Sequence, residues 1–296
     1  MNNSILVTGG SGQLAQALKK NKIKKNKFIY FFTSKKKLDI CKYKEIESFI
    51  IKNKINIIIN CAAFTDVDLA EINVNKANKV NNLSVKNLSL ICIKYKILLV
   101  QISTDYVFNG NKKKFFFEYD KSLPKNKYGL TKLMGEKQIL NYDIDSVIIR
   151  TSWLYSEFSN NFVKNIFNII NKNKNIELRN NSYGSPTYAD DLAKFIYLVL
   201  SKKKYLFLFK KNYIFHFANL GCISRYQFVK KIIEFSKIKN IKIIKSFPNK
   251  NIKNIRPNCS CLKSKNLKII KEFKYIKWDK SLLKCINKLK KINEKN

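Results

Sequence analysis

Short apolar runs alternate with longer stretches in which apolar residues recur three or four apart, and the alternation is regular through the first half of the chain. Ile5-Leu6-Val7-Thr8, Phe28 to Thr33, Ile55 to Asn60, Ile97 to Ser103 and Ser146 to Arg150 read as strands. Gln16 to Lys20, Tyr43 to Lys52, Asn75 to Tyr95 and the second part of Leu123 to Leu140 read as helices. Strands separated by helices predict an α/β fold with a doubly wound parallel sheet. Beyond Thr151 the pattern loosens. Asn161 to Asn171, Tyr188 to Leu200, Ser224 to Phe235 and Asp279 to Lys291 suggest helices, Tyr213 to Phe217 and Ile241 to Lys245 short strands, and Asn287 to Asn296 a fraying tail. The expected organisation is a doubly wound domain over 1–150, with segments from about 186–218 returning to it, and a smaller lobe over 151–296.

In such sheets ligands bind beyond the carboxyl ends of the strands. Those ends are Thr8-Gly9, Thr33-Ser34, Cys61-Ala62-Ala63, Ser103-Thr104 and Thr151-Ser152-Trp153. Gly9-Gly10-Ser11-Gly12-Gln13-Leu14-Ala15 follows the first strand, and free N–H groups at the start of the next helix suit a pyrophosphate. A plain strand-to-helix turn has the same spelling, so the turn alone decides nothing. Tyr128 and Lys132 lie four apart, on one face of a helix, with the ammonium placed to favour ionisation of the phenol. With the hydroxyl of Thr104 they make a set that can polarise a carbonyl and hand it a proton.

Composition adds little to function. The net charge of +39 invites a nucleic-acid reading, but of the 59 basic residues only Arg150, Arg179, Arg225 and Arg256 are arginine, and lysine is spread throughout. A binding patch selected for phosphate would be clustered and richer in bidentate arginine, so no specific nucleic-acid partner is expected. The 45% apolar content is that of a folded protein, and no long uncharged apolar stretch occurs, so a soluble, cytoplasmic protein without membrane contact is expected. Seven scattered cysteines lack a Cys-x-x-Cys pair and the chain has one histidine, His216, which predicts reduced thiols with neither a disulfide framework nor a zinc site. Cys259-Ser260-Cys261 is unusual spacing for a metal. Ser34-Lys35-Lys36-Lys37, at the end of the second strand, offers cations where an NAD enzyme usually carries an acid, which favours NADPH over NADH.

Together, the glycine turn, Ser103-Thr104-Asp105-Tyr106-Val107-Phe108 and Tyr128-x-x-x-Lys132 resemble the Rossmann-type extended short-chain dehydrogenase/reductases that act on sugar nucleotides. Leu38-Asp39-Ile40, Asn60 to Glu71, Arg150 to Tyr155, Asn161-Phe162-Val163 and Gly184-Ser185-Pro186-Thr187 narrow the likeness to the dTDP-4-dehydrorhamnose reductase family over roughly residues 4–220. The resemblance implies NADPH-dependent reduction of the C4 ketone of dTDP-4-dehydro-L-rhamnose. It implies Tyr128 as acid, Lys132 as its modulator and ribose ligand, and Thr104 as a hydrogen-bond partner of the ketone. Gly9, Ser11, Gly12, Gln13 and Leu14 would cradle the pyrophosphate, Asp39 and Ile40 would flank the adenine, and Ala62, Ala63 and Thr65 would line the cofactor channel. Asp66, Val67, Asp105, Tyr106 and Trp153 would face the sugar, and Arg256 the diphosphate. Without the likeness, Asp66 and Asp68 read as helix caps and Trp153 as core.

The chain also departs from the family. Ala17 stands where members can carry an acid that binds a metal at a dimer contact, although Asp190 and Asp191 are present, so no metal is expected and a homodimer is left open. Lys263 replaces an acid in the C-terminal pattern that begins Arg256-Pro257. The alternatives are a sugar-nucleotide epimerase or dehydratase using NAD, which would want a second acid beside Thr104, and a non-catalytic regulatory subunit of methionine adenosyltransferase.

Overall fold

The fold was determined as a computed structural model, which describes residues 3–22, 28–111, 115–172, 175–178, 182–205, 207–210, 212–245 and 256–294. Strands β1 (Asn3–Thr8), β2 (Phe28–Phe32), β3 (Ile55–Asn60), β4 (Leu98–Thr104) and β5 (Ser146–Thr151) follow the apolar runs. Four short pieces come next, β6 (Leu154–Tyr155), β7 (Ile176–Leu178), β8 (Tyr183–Gly184) and β9 (Thr187–Tyr188). Then β10 (Tyr213–Phe217) joins the main sheet, and β11 (Ile223–Ser224) and β12 (Ile243–Lys245) do not. The main sheet has the order β10-β5-β4-β3-β1-β2, every pair parallel. Its strands are nearly continuous in apolar residues because both faces are covered, as a parallel sheet requires.

Register puts the carboxyl ends on one rim: Thr8 lies opposite Asn60, Asn60 opposite Gln101, and Thr104 opposite Thr151. A buried polar relay ties three of these ends together. The Thr8 hydroxyl donates to Asn60 Oδ1 (2.6 Å), Asn60 Nδ2 to Gln101 Oε1 (2.8 Å), and Gln101 Nε2 to the Ile102 carbonyl (2.9 Å). Satisfied in this way, polar groups can sit under a binding rim without the desolvation penalty of unpaired ones.

Helices α1 (Gln13–Lys20), α2 (Tyr43–Asn53), α3 (Val67–Ile72), α4 (Val74–Asn78), α5 (Ser84–Tyr95) and α6 (Lys127–Asn141) occupy the first half. The single helix expected from Asn75 to Tyr95 is broken: a π-helical turn, Lys79–Leu83, separates α4 from α5. The turn delivers Asn81, which accepts from the Phe64 N–H (2.9 Å) and donates to the Phe64 carbonyl and to the Thr131 hydroxyl (3.1 Å). Helix α6 presses against it at Gly135, where a Cβ would stand 2.2 Å from the Asn81 carbonyl oxygen.

The second half contributes α7 (Phe162–Asn171), α8 (Ala189–Ser201), α9 (Phe207–Lys210), α10 (Arg225–Ser236) and α11 (Trp278–Asn293). Helix α8 packs with α1 in the core on one face of the sheet. Helices α7, α10 and α11 enclose a separate core around Phe167, Phe228, Ile232, Leu282 and Ile286. Two expectations are corrected here. The tail does not fray from Asn287, because Leu289 is buried in that core and holds α11 to Asn293, while Lys295 and Asn296 lie outside the described residues. Nor are all thiols reduced, since Cys222 and Cys261 form a disulfide. Their partnership crosses 39 residues through neighbouring loops, which spacing rules for nearby cysteines cannot reveal.

Candidate active site

A cleft of about 730 Å3 runs along the carboxyl rim of the sheet. At one end is the glycine turn. Gly9 sits at φ +64°, and a Cβ there would stand 2.8 Å from the Ala62 backbone nitrogen, so two chain segments meet at a distance only glycine allows. Gly12 is the N-cap of α1 and supplies no side-chain cap, which leaves N–H groups at the helix start for a ligand. Ser11, Gly12, Gln13 and Leu14 all line the cleft, with Leu38, Asp39, Ile40 and the exposed Lys35 at the same end. Ala62, Ala63, Thr65 and Val67 continue the wall toward the centre. This donor set, a glycine cradle at a helix N-terminus with a lysine beside it, fits the diphosphate and an additional ribose phosphate of a dinucleotide.

At the centre, Thr104, Tyr128 and Lys132 converge. Asn126 caps α6 by accepting from the Gly129 N–H (2.7 Å), and Gly129 lets the helix approach Asp105–Val107, since a Cβ would lie 2.0 Å from the Tyr106 carbonyl oxygen. The approach brings the Tyr128 phenol to hydrogen-bond with Thr104 and sets it edge-on to Tyr106, ring centroids 5.7 Å apart. Lys132, one helical turn on, donates to the Ile102 carbonyl (2.6 Å). Burial raises the Tyr128 pKa above its ordinary value, with the Thr104 hydrogen bond opposing, so the phenol keeps its proton at neutral pH. Burial lowers Lys132 to about 8, with Glu136 and Cys61 opposing. The sequence pattern suggests a cation easing the phenol's ionisation; the ammonium instead places one donor on a backbone carbonyl, and desolvation of the phenol prevails.

Under this centre lies a buried ion pair. Arg150 Nη2 donates to Glu136 Oε2 (2.7 Å), and Ser103 donates to Glu136 as well. His216 closes the group: its Nδ1 lies 3.1 Å from the Phe116 carbonyl and its Nε2 3.4 Å from Arg150 Nη1. Burial lowers its pKa to about 4, so it is a neutral structural imidazole.

Asp105 joins the centre to the far wall. It accepts from Ser152 (2.9 Å), Thr104 and Ser260, yet burial still raises its carboxyl to about 6. The far wall begins at Trp153, whose backbone is in the left-handed region at φ +43° and whose indole packs where a Gly184 Cβ would intrude to 2.2 Å. Sequence reasoning missed the rest. The Arg225 guanidinium lies 3.6 Å from the Trp153 ring centroid and 4.3 Å from that of Phe162, and Arg225, Phe162 and Phe228 line the cleft. Its signal, one of four arginines and directly behind the helix-capping Ser224, was available in the chain but uninformative without the fold.

Two expected site residues stand outside this lining. Asp66 is exposed and caps α3, accepting from the Leu69 N–H (2.9 Å). Arg256 forms a fork with Asp68 at the surface (2.9 and 2.6 Å). Asp190 and Asp191 point into protein contacts: Asp190 pairs with Lys194 (2.9 Å), and Asp191 accepts from Asn219 (2.8 Å) and Ser281.

The sequence matches the family described as the RmlD substrate binding domain over residues 2–291. The chain belongs to the RmlD family. A dTDP-4-dehydrorhamnose reductase of Aggregatibacter actinomycetemcomitans is 31% identical, over 87% of this chain and 90% of that protein. Among solved structures, the dTDP-4-dehydrorhamnose reductase of Clostridium acetobutylicum is 32% identical with a TM-score of 0.88, covering 97% of this chain and 99% of that one. The reductase from Bacillus anthracis, solved in complex with NADP, is 28% identical with a TM-score of 0.89, covering 97% of this chain and 100% of that one. For this RmlD-family chain, no helix among the described residues is long and apolar enough to cross a membrane.

Proposed function

We propose that this chain is an NADPH-dependent oxidoreductase that reduces the C4 ketone of dTDP-4-dehydro-L-rhamnose to dTDP-L-rhamnose. The observation that carries it is the convergence of Thr104, Tyr128 and Lys132 halfway along a cleft that begins at a dinucleotide cradle and ends at a ring-lined cationic wall. When bound, NADPH supplies the hydride delivered to C4. Tyr128, protonated at neutral pH, gives its proton to the C4 oxygen, and the Thr104 hydroxyl holds that oxygen. Lys132 has one donor on Ile102, and its remaining N–H bonds are available to the nicotinamide ribose. Lys35 favours the ribose phosphate that distinguishes NADPH from NADH. On the sugar side, Trp153 and Tyr106 flank the pocket, and Arg225, whose guanidinium stacks on the Trp153 and Phe162 rings and lines the cleft, is placed for the diphosphate. Arg256 and Asp66 belong at most to the mouth. A homodimer and a cytoplasmic location go with this reading, the former to be tested by light scattering.

The test is oxidation of NADPH, and separately of NADH, by purified protein given dTDP-4-dehydro-L-rhamnose. Tyr128→Phe is expected to lose on the order of 10²- to 10⁴-fold in kcat with NADPH affinity retained. Turnover unaffected by that substitution would remove Tyr128 from the chemistry. Binding of NADPH without turnover of the ketone by the unaltered protein would remove the reductase assignment.

A further inference from the structure

Three cysteines, Cys222, Cys259 and Cys261, bring their sulfur atoms within 4.8 Å of one another, behind the far wall of the cleft. They come from two loops, and the loops are held together by more than sulfur. Strand β11 pairs antiparallel with β8, and Cys259 bridges to Tyr183 of β8 from the other side, with the Tyr183 N–H donating to the Asn258 carbonyl (2.8 Å) and the Ser260 N–H to the Tyr183 carbonyl (2.9 Å). The Ser185 hydroxyl donates to the Gly221 carbonyl (2.8 Å) and accepts from the Leu262 N–H (3.2 Å), clasping both cysteine-bearing segments. Opening the Cys222–Cys261 bond therefore leaves three sulfurs still gathered by backbone pairing, which is the pre-organisation a metal site needs.

We propose that Cys222, Cys259 and Cys261 are a thiolate metal site that takes one Zn2+ when the disulfide is reduced. Donors that are all sulfur select a thiophilic closed-shell ion over Mg2+ or Ca2+, which seek oxygen. Zinc–sulfur bonds of about 2.3 Å set tetrahedral sulfurs roughly 3.8 Å apart, inside the present spread. Cys259 and Cys261 are buried and Cys222 is partly exposed, which gives the ion an entry from solvent and leaves a fourth position for water. Two electrons and two protons from two small-molecule thiol groups, which leave joined as their own disulfide, convert the Cys222–Cys261 bond to two thiols; Zn2+ then displaces three protons from the three sulfurs. Either state fastens the segment that carries Ser260, a hydrogen-bond partner of Asp105, so the site supports the sugar side of the cleft.

The test uses the full chain, reduced with a phosphine and desalted without oxygen, and titrated with Zn2+ against a chromophoric chelator. The reduced protein is expected to bind one equivalent and the oxidised protein none. Cys259→Ser should weaken binding at least tenfold, whereas Cys41→Ser and Cys92→Ser should not. X-ray absorption of the zinc-loaded unaltered protein, which does not depend on any variant folding, should find three sulfurs at about 2.3 Å. Fewer than three sulfurs around the ion, no uptake by the reduced protein, or uptake unchanged in Cys259→Ser would overturn the proposal.

Discussion

Along the rim from Gly9 to Lys132, backbone meets backbone: Gly9 against Ala62, Gly129 against Tyr106, Gly135 against Asn81. Across the cleft, from Trp153 to Phe228, rings and a guanidinium stack instead, drawn from the segment after β5 and from α7 and α10. The first wall holds atoms in place by forbidding any larger residue at its contacts. The second holds them by dispersion and by the attraction of a cation to ring faces, which tolerates adjustment. On the proposed reading, chemistry that demands a fixed donor geometry belongs to the rigid wall, and recognition of a flexible diphosphate-linked sugar to the adaptable one.

This contrast can be broken at several points. The largest effect is expected beneath the rigid wall, where Glu136→Ala leaves Arg150 buried without its carboxylate and should destabilise the fold by about 3–5 kcal/mol, read from the midpoint of denaturant unfolding. A loss well under 1 kcal/mol would mean that the rim does not depend on the ion pair. On the adaptable wall, Arg225→Met keeps the bulk between Trp153 and Phe162 and removes the charge. The KM for the sugar nucleotide should rise roughly tenfold to a hundredfold, as loss of about 1.5–3 kcal/mol of charge-assisted hydrogen bonding requires, with NADPH affinity unmoved. Equal weakening of both ligands would place Arg225 on the cofactor side.

Smallest is a change of slope at Asp105, where the walls meet. Its carboxyl is raised by burial from about 3.8 to about 6, so between these values the folded chain binds more protons than the unfolded one. Stability contributed by the group is therefore present at low pH and falls as pH rises through that window. Asp105→Asn should flatten the dependence of Tm on pH between about 4 and 6, and an unaltered slope would show that Asp105 is ionised throughout.

The rim was legible because its signals are local: Gly9 to Ala15 spells its own turn, and Tyr128 and Lys132 share a helix face at a spacing of four. Asp66 was equally local, but two roles share its spelling, and the structure shows the cap at Leu69. The far wall was legible only at Trp153. Arg225 lies 72 residues beyond Trp153 in the chain and 3.6 Å from it in space, a distance no periodicity encodes.

Alternation of apolar runs with helical stretches determined the parallel sheet, the rim and the pairing of Tyr128 with Lys132 on one helix face, because hydrophobic period and glycine freedom are properties of short segments. Tertiary structure alone decided the break at Lys79–Leu83, the burial of Leu289, the stacking of Arg225 and the meeting of Cys222 with Cys261. Each of these depends on which distant surface packs against a segment, and that contact is settled only when the whole chain has closed on itself.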